Sequence, residues 1–246
     1  MSGHSKWHNI KLHKGKIDAQ RGALFTKLSK EIILAAKSGS SDPEANYRLK
    51  IAVEKARSHN MPLDNIKRAI ARASGAGEKE IEEIRYEGHG PAGIAVIVDV
   101  ATDNRNRTAA ELRFLFSKHG GSLGETGSVA WIFQPRGLLE LSAGKLTEDE
   151  IVEKALVEGV IDVRFGDPVE IITEPTALGK VREALTASGL GVTSMVLGVD
   201  PKTTVSPAQE ELRPVLAFLD SLEDHEDVQR VYSNVELDEA QLEALA

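Results

Sequence analysis

Near residue 80 the hydrophobic period of the chain changes, and the change fixes which elements can form on either side. Upstream, apolar residues recur at helical spacing. Leu24, Leu28 and Ile32 fall four apart, with Phe25 and Ile33 beside them, and Gly39 stops the run. Asp42-Pro43 reads as an N-cap followed by proline at the first helical position, and Leu49, Val53 and Ala56 carry a second helix to about His59. Pro62 opens a third, with Ile66, Ala69, Ile70 and Ala73 inward and Gly75 at its end. Three helices with short connections make a small helical domain, and SGAGEKE reads as a linker.

Downstream the pattern is that of strands and helices in alternation. GIAVIVDVA (93–101) is a β-branched run, NRTAAELRFLFSKHG a helix, and GSVAWIF (127–133) a second strand. A self-contained block follows: GLLEL, the helix TEDEIVEKALVEG, VIDVRF and VEIIT, the helix ALGKVREALTASG, and VTSMVLGV. That order, β-α-β-β-α-β, is ferredoxin-like. TTV, a helix from Pro207 to Asp224, and VQRVYSNVEL supply a last β-α-β. The expected fold class is therefore multidomain α and α+β: an N-terminal three-helix domain, then two ferredoxin-like α+β domains, one inserted in the other. The expected boundaries are 1–80 for the basic arm and helices, 81–134 plus 200–246 for the discontinuous domain, and 135–199 for the insert.

Charge follows the same division. Residues 1–80 hold 16 Lys+Arg against 8 Asp+Glu, a net +8, while residues 81–246 hold 14 against 30, a net −16. A basic opening on a chain of net charge −8 points to a polyanion met by one end only. In the opening, GHSKWHNIKLHKGKIDAQRG, residues 2–16 have no sustained period and read as an arm that orders on binding, and a helical period begins at about Asp18. Its lysines neutralise phosphates and release counterions. Trp7 either stacks on an unpaired base or folds back onto the helices. The expected nucleic-acid contacts are Lys6, Trp7, His8, Lys11, Lys14, Lys16, Arg21, Lys27 and Lys30. Between strand and helix, TDNRNRT suits turn and N-cap geometry, and Arg105 and Arg107 there are candidate anion ligands.

Other chemistries find little support. There are no cysteines, so disulfides, thiolate zinc sites and cysteine nucleophiles are excluded. His4 and His8 have metal-like spacing but no evident third ligand. Gly88–Gly93 matches GxGxxG literally, yet Pro91 sits inside it and a strand follows, so a turn is expected rather than a dinucleotide site. The glycines of GGSLGETGS lack a Gly-Lys-Ser/Thr ending and read as a loop. No catalytic constellation stands out; the expectation is a non-enzyme with no cofactor and no metal. No apolar run approaches the roughly 20 residues of a membrane span, and no secretion signal is present, so the cytoplasm is the expected location.

The stretches GHSKWHNIKLHKGKIDAQRGALFTKLSKEI, DPEANYRLKIAVEKA, NMPLDNIKRAI, YEGHGPAGIAVIVDVATDNRNRT and GGSLGETGSVAWIF resemble the YebC/PmpR family, which includes the mitochondrial translational activator of cytochrome c oxidase. The resemblance is dense over residues 3–133. It implies three domains, two of them α+β with one inserted in the other, and a non-enzymatic role in gene expression. Bacterial members are described as DNA-binding transcriptional regulators; members are also linked to ribosomes slowed at proline-rich nascent chains. The resulting expectation is a nucleic-acid-binding regulator of the YebC type that holds phosphates through its basic N-terminal domain. A ribosome-associated translation factor and a protein-interaction adaptor stand as alternatives. DNA or ribosomal RNA is the expected partner, with no membrane; a monomer is favoured.

Overall fold

The computed structural model describes residues 17–75, 80–142, 144, 146–166, 168–237 and 241, with side chains from residue 22 onward except that of Ser74. The chain divides into two compact units, one formed by Lys16–Ala130 with Arg213–Ser233, the other by Trp131–Leu212 with residues from Asn234 on.

The first unit begins with three helices, α1 (Ile17–Lys37), α2 (Tyr47–Ser58) and α3 (Leu63–Ser74). Their apolar stripes meet in one core of Leu28, Ile32, Leu49, Val53, Ile66 and Ala69. The second helix starts later than Asp42-Pro43 suggests. Asn46 is its N-cap: the side-chain oxygen accepts from Leu49 N at 3.1 Å while the amide donates to the Ala35 and Ser40 carbonyls at 2.8 and 2.7 Å. One buried asparagine thus ends α1 and begins α2, satisfying groups both helix ends would leave orphaned.

A four-stranded antiparallel sheet completes this unit. Its strands are β1 (Glu82–His89), β2 (Ala95–Thr102), β3 (Ser122–Leu123) and β8 (Val228–Ser233), ordered β3-β1-β2-β8. Strand β2 is buried along nearly its whole length, as an AVIVDVAT run requires. Helix α4 (Arg105–Lys118) and the last part of α7 (Gln209–Glu223) meet edge to face through Phe116 and Phe218, with ring centroids 4.9 Å apart. Ile81 and Ala101 belong to the core of the three helices.

The second unit carries β4 (Phe133–Ser142), α5 (Glu148–Ala155), β5 (Val160–Arg164), β6 (Val169–Thr173), α6 (Leu178–Ala187) and β7 (Gly191–Pro201). Its antiparallel sheet is ordered β5-β6-β4-β7, the ferredoxin-like arrangement. Leu139, Leu141 and Ile171 pack there against Ile151, Val181 and Leu185 of the two helices. A capping box of Thr147 and Glu150 starts α5.

Three further differences from the sequence reading concern strands. EEIRYEGH forms β1, unforeseen because its exposed Glu and Arg mask the alternation. GSVAWIF is a loop and one 3-10 turn, and the strand starts only at Phe133. TTV contributes a single bridge, Val205 to Val235.

Candidate nucleic-acid interface

The expected contacts Lys6, Trp7, His8, Lys11, Lys14 and Lys16 lie outside the described residues. Arg21 lies on α1, and its side chain is also outside them. Lys27 and Lys30 are described, and both are engaged within the first unit. Lys27 donates to the Glu223 carbonyl. Lys30 donates to the Glu226 carbonyl at 3.1 Å and forms an ion pair with Asp227.

Asp227 is the centre of a buried polar cluster. Its carboxylate has no exposed surface and receives Lys30 from α1 and Arg107 from α4, with Arg107 Nη2 at 2.9 and 3.2 Å from its two oxygens. The Thr108 hydroxyl donates to it at 2.6 Å, and Thr102 Oγ1 lies 2.8 Å from Thr108 Oγ1. Burial pushes the Asp227 carboxyl up, but the hydrogen bonds from Lys30, Thr108 and Arg107 outweigh burial and hold it at about 2. The TDNRNRT turn serves the same cluster. Asn104 caps α4 by accepting from Arg107 N at 3.2 Å, which fixes Arg107 where it reaches Asp227. Arg105, by contrast, is exposed and has no acidic partner among the described residues.

A cleft of about 210 Å³ beside this cluster is lined by Lys30, Arg72 and Arg107, and equally by Asp103 and Glu226. With Asp227 beneath, the formal charges cancel, so the cleft has no strong field for an anion. Glu111, His225 and Asp227 place ligand atoms within 4.8 Å of one another. These groups are already bonded to one another and to cations: His225 Nδ1 accepts Asp227 N–H at 3.1 Å, His225 Nε2 lies 3.0 Å from Glu111, and two cations hold Asp227. Those cations oppose a metal ion at the same carboxylate.

The glycine loop has a similar logic. Glu87, buried on β1, accepts from the Gly127, Val129 and Ala130 amides at 2.8, 3.0 and 2.8 Å. Convergent backbone amides of this kind commonly hold phosphate; here a carboxylate of the same chain fills them. The three amide bonds outweigh burial and keep the Glu87 carboxyl below its usual range. Gly127, at φ +90°, supplies the left-handed turn that aims them.

What sequence reasoning missed is Asp227 and Glu87. Each is one acid among 38 and acquires its role from partners far away in the chain. The signal within reach was position: Glu87 immediately precedes Gly88-His89-Gly90, and Asp227 immediately precedes strand β8.

The fold defines a class: a multidomain α and α+β protein with a helical N-terminal module and one α+β unit inserted, in sequence, within another. Residues 5–76 match the family described as the TACO1/YebC protein N-terminal domain, and residues 81–235 the one described as the TACO1/YebC second and third domain. The chain belongs to the TACO1/YebC family. It is 49% identical over 251 residues to a "Probable transcriptional regulatory protein" of Sulfurihydrogenibium sp., covering 100% of this chain and 99% of that one. A protein of the same name from Rubrobacter xylanophilus is 48% identical, with 97% of each chain covered. The crystal structure of a conserved hypothetical protein from Aquifex aeolicus matches with a TM-score of 0.85 at 42% identity, covering 92% of this chain and 94% of that chain. The Sulfurihydrogenibium and Rubrobacter relatives carry the name of a probable regulator and not of an enzyme. No helix among the described residues is long and apolar enough to cross a membrane.

Proposed function

We propose that the protein is a nucleic-acid-binding regulator of gene expression that engages phosphates through its N-terminal region, with DNA as the partner in a transcriptional role. The observation that carries this reading is the charge division: +8 over residues 1–80 against −16 over the remainder. The name borne by the relatives supports the regulatory part. Because Lys30 and Arg107 neutralise a buried carboxylate, phosphate binding falls to Lys6, Lys11, Lys14, Lys16 and Arg21, with Trp7 and His8 in support.

The test is crosslinking and fractionation of a lysate containing the full chain. Enrichment of discrete DNA fragments supports the transcriptional reading. Comigration with ribosomes without such enrichment replaces it with a translational one. Association with neither, alongside a stable protein partner, leaves only the adaptor.

A further inference from the structure

Ten cationic side chains between Lys27 and Arg72 are described, and folding uses most of them. Lys30, Lys37, Arg48, Lys50 and Lys55 each pair with a carboxylate. Lys27 donates to the Glu223 carbonyl, Arg68 bonds Asn65 and the Asp64 carbonyl of its own helix, and Arg72 is engaged as well. Two remain. Arg57 and Lys67 are exposed and have no partner among the described residues.

Both belong to one feature, the turn that joins α2 to α3. Arg57 lies in the last turn of α2 and Lys67 in the second turn of α3, with only residues 59–62 between the helices. The turn is closed by Asn60 N to Arg57 O at 2.9 Å, Met61 N to Ala56 O at 2.9 Å and Ile66 N to Pro62 O at 3.2 Å. Asn60 takes the left-handed conformation, φ 58°, that lets the chain reverse so tightly. Leu63, 50% exposed, precedes Lys67 by four residues and shares its face. His59, the C-cap of α2, lies in the chain between Arg57 and Leu63. Burial and the Lys55 charge hold its imidazole below the usual value, so at neutral pH it offers hydrogen bonds rather than charge. The acids nearby, Glu54 and Asp64, are exposed and pair with neither cation.

We propose that this α2–α3 turn is a second phosphate-contacting surface, in which Arg57 and Lys67 take backbone phosphates of a nucleic acid and the exposed Leu63, on the Lys67 face, packs on a sugar. A surface cation with a carboxylate partner gives up one attraction to gain another. Neither of these two holds a carboxylate at ion-pair distance among the described residues, so Glu54 and Asp64, three residues away on the same helices, oppose phosphate binding less than a bonded partner does. The inference rests on the nucleic-acid reading above and adds a site that the basic arm does not contain.

The experiment measures binding of the full chain to a fluorescein-labelled 20-base-pair duplex DNA of mixed sequence across a salt series. R57Q/K67Q is compared with K37Q/K50Q, which removes the same charge from paired positions, and with the arm variant K6Q/K11Q/K14Q/K16Q. Circular dichroism checks that each variant is folded. R57Q/K67Q is expected to flatten the log–log salt slope by about 1.8 and to weaken binding about 10- to 30-fold near physiological salt. K37Q/K50Q is expected to match the parent, and R57K/K67R to restore binding. If R57Q/K67Q behaves as K37Q/K50Q while the arm variant loses affinity, this inference is overturned and the arm reading stands. If the arm variant binds as the parent while R57Q/K67Q loses affinity, the turn is the site and the arm reading falls. If neither variant differs from the parent, both fail.

Discussion

Lys30 on α1 and Asp227 at the head of β8 form a buried ion pair across 197 residues of chain. Arg107 reaches the same carboxylate from α4, so one acid joins the helical module to both the turn and the sheet of its unit. A carboxylate taken from water is stable only when its lone pairs are filled, and here two cations and Thr108 fill them. The arrangement makes Asp227 a fastening point whose loss strands the Lys30 ammonium and leaves Arg107 only its outer partners, Asp103 and Glu111.

Asp227→Asn should therefore destabilise the protein by about 3 kcal/mol, since breaking one side of a buried pair leaves the other uncompensated. Urea unfolding at pH 7 measures it. Lys30→Met in the same background should cost much less than in the parent, because the two changes remove one interaction. Equal, additive costs contradict the coupling.

The same carboxylate sets an acid limit. Its folded value of about 2 lies below the ordinary 3.8. Such a group stabilises the fold at pH values above its unfolded pKa, and the contribution disappears as pH falls through the folded value. The expected contribution is about 2 kcal/mol, complete above pH ~5 and gone below pH ~2. The stability difference between parent and Asp227→Asn should shrink over that window. A difference independent of pH between 5 and 2 contradicts the assignment.

Glu87→Gln replaces an acceptor of three amide bonds by a group that carries its own N–H donors. About 2 kcal/mol should be lost. Hydrogen exchange should accelerate at Gly127, Val129 and Ala130 before the rest of the sheet. Unchanged protection at those three amides contradicts the anchoring role.

Gly137 sits on β4 where an added Cβ would lie 2.2 Å from Thr173 Oγ1 and 2.9 Å from Leu178 Cδ1. Gly137→Ala should cost about 1–3 kcal/mol by overpacking. Gly179→Ala, with open space around the position, should be neutral or mildly stabilising. Thermal unfolding of the two variants gives the comparison; equal melting temperatures contradict it.

The sequence's legibility follows the range of the interactions. Helices α1, α2 and α3 and the inserted β-α-β-β-α-β block were readable because apolar period and caps are local. The start of α2 is not legible locally: Asp42-Pro43 has the residues of a cap, whereas the actual cap, Asn46, is selected by bonds back to Ala35 and Ser40. The TDNRNRT turn is a cap, as its Asp and Asn residues imply. Its second use, aiming Arg107 at Asp227, depends on a strand that lies 120 residues on. Lys30 looked like a free cation for the same reason: nothing near it in the chain announces the acid that takes it. Charge division is visible in composition, but which cations remain unpartnered emerges only after folding has paired the others.

The central claim is that a cationic N-terminal region binds nucleic acid through its phosphates. Its most direct test is the salt dependence of the full chain's affinity for a mixed-sequence DNA duplex, before and after K6E/K11E/K14E/K16E. About six phosphate contacts predict a log affinity that falls with log salt at a slope near −5, and charge reversal should abolish binding. A slope near zero, or binding untouched by the reversal, contradicts the account.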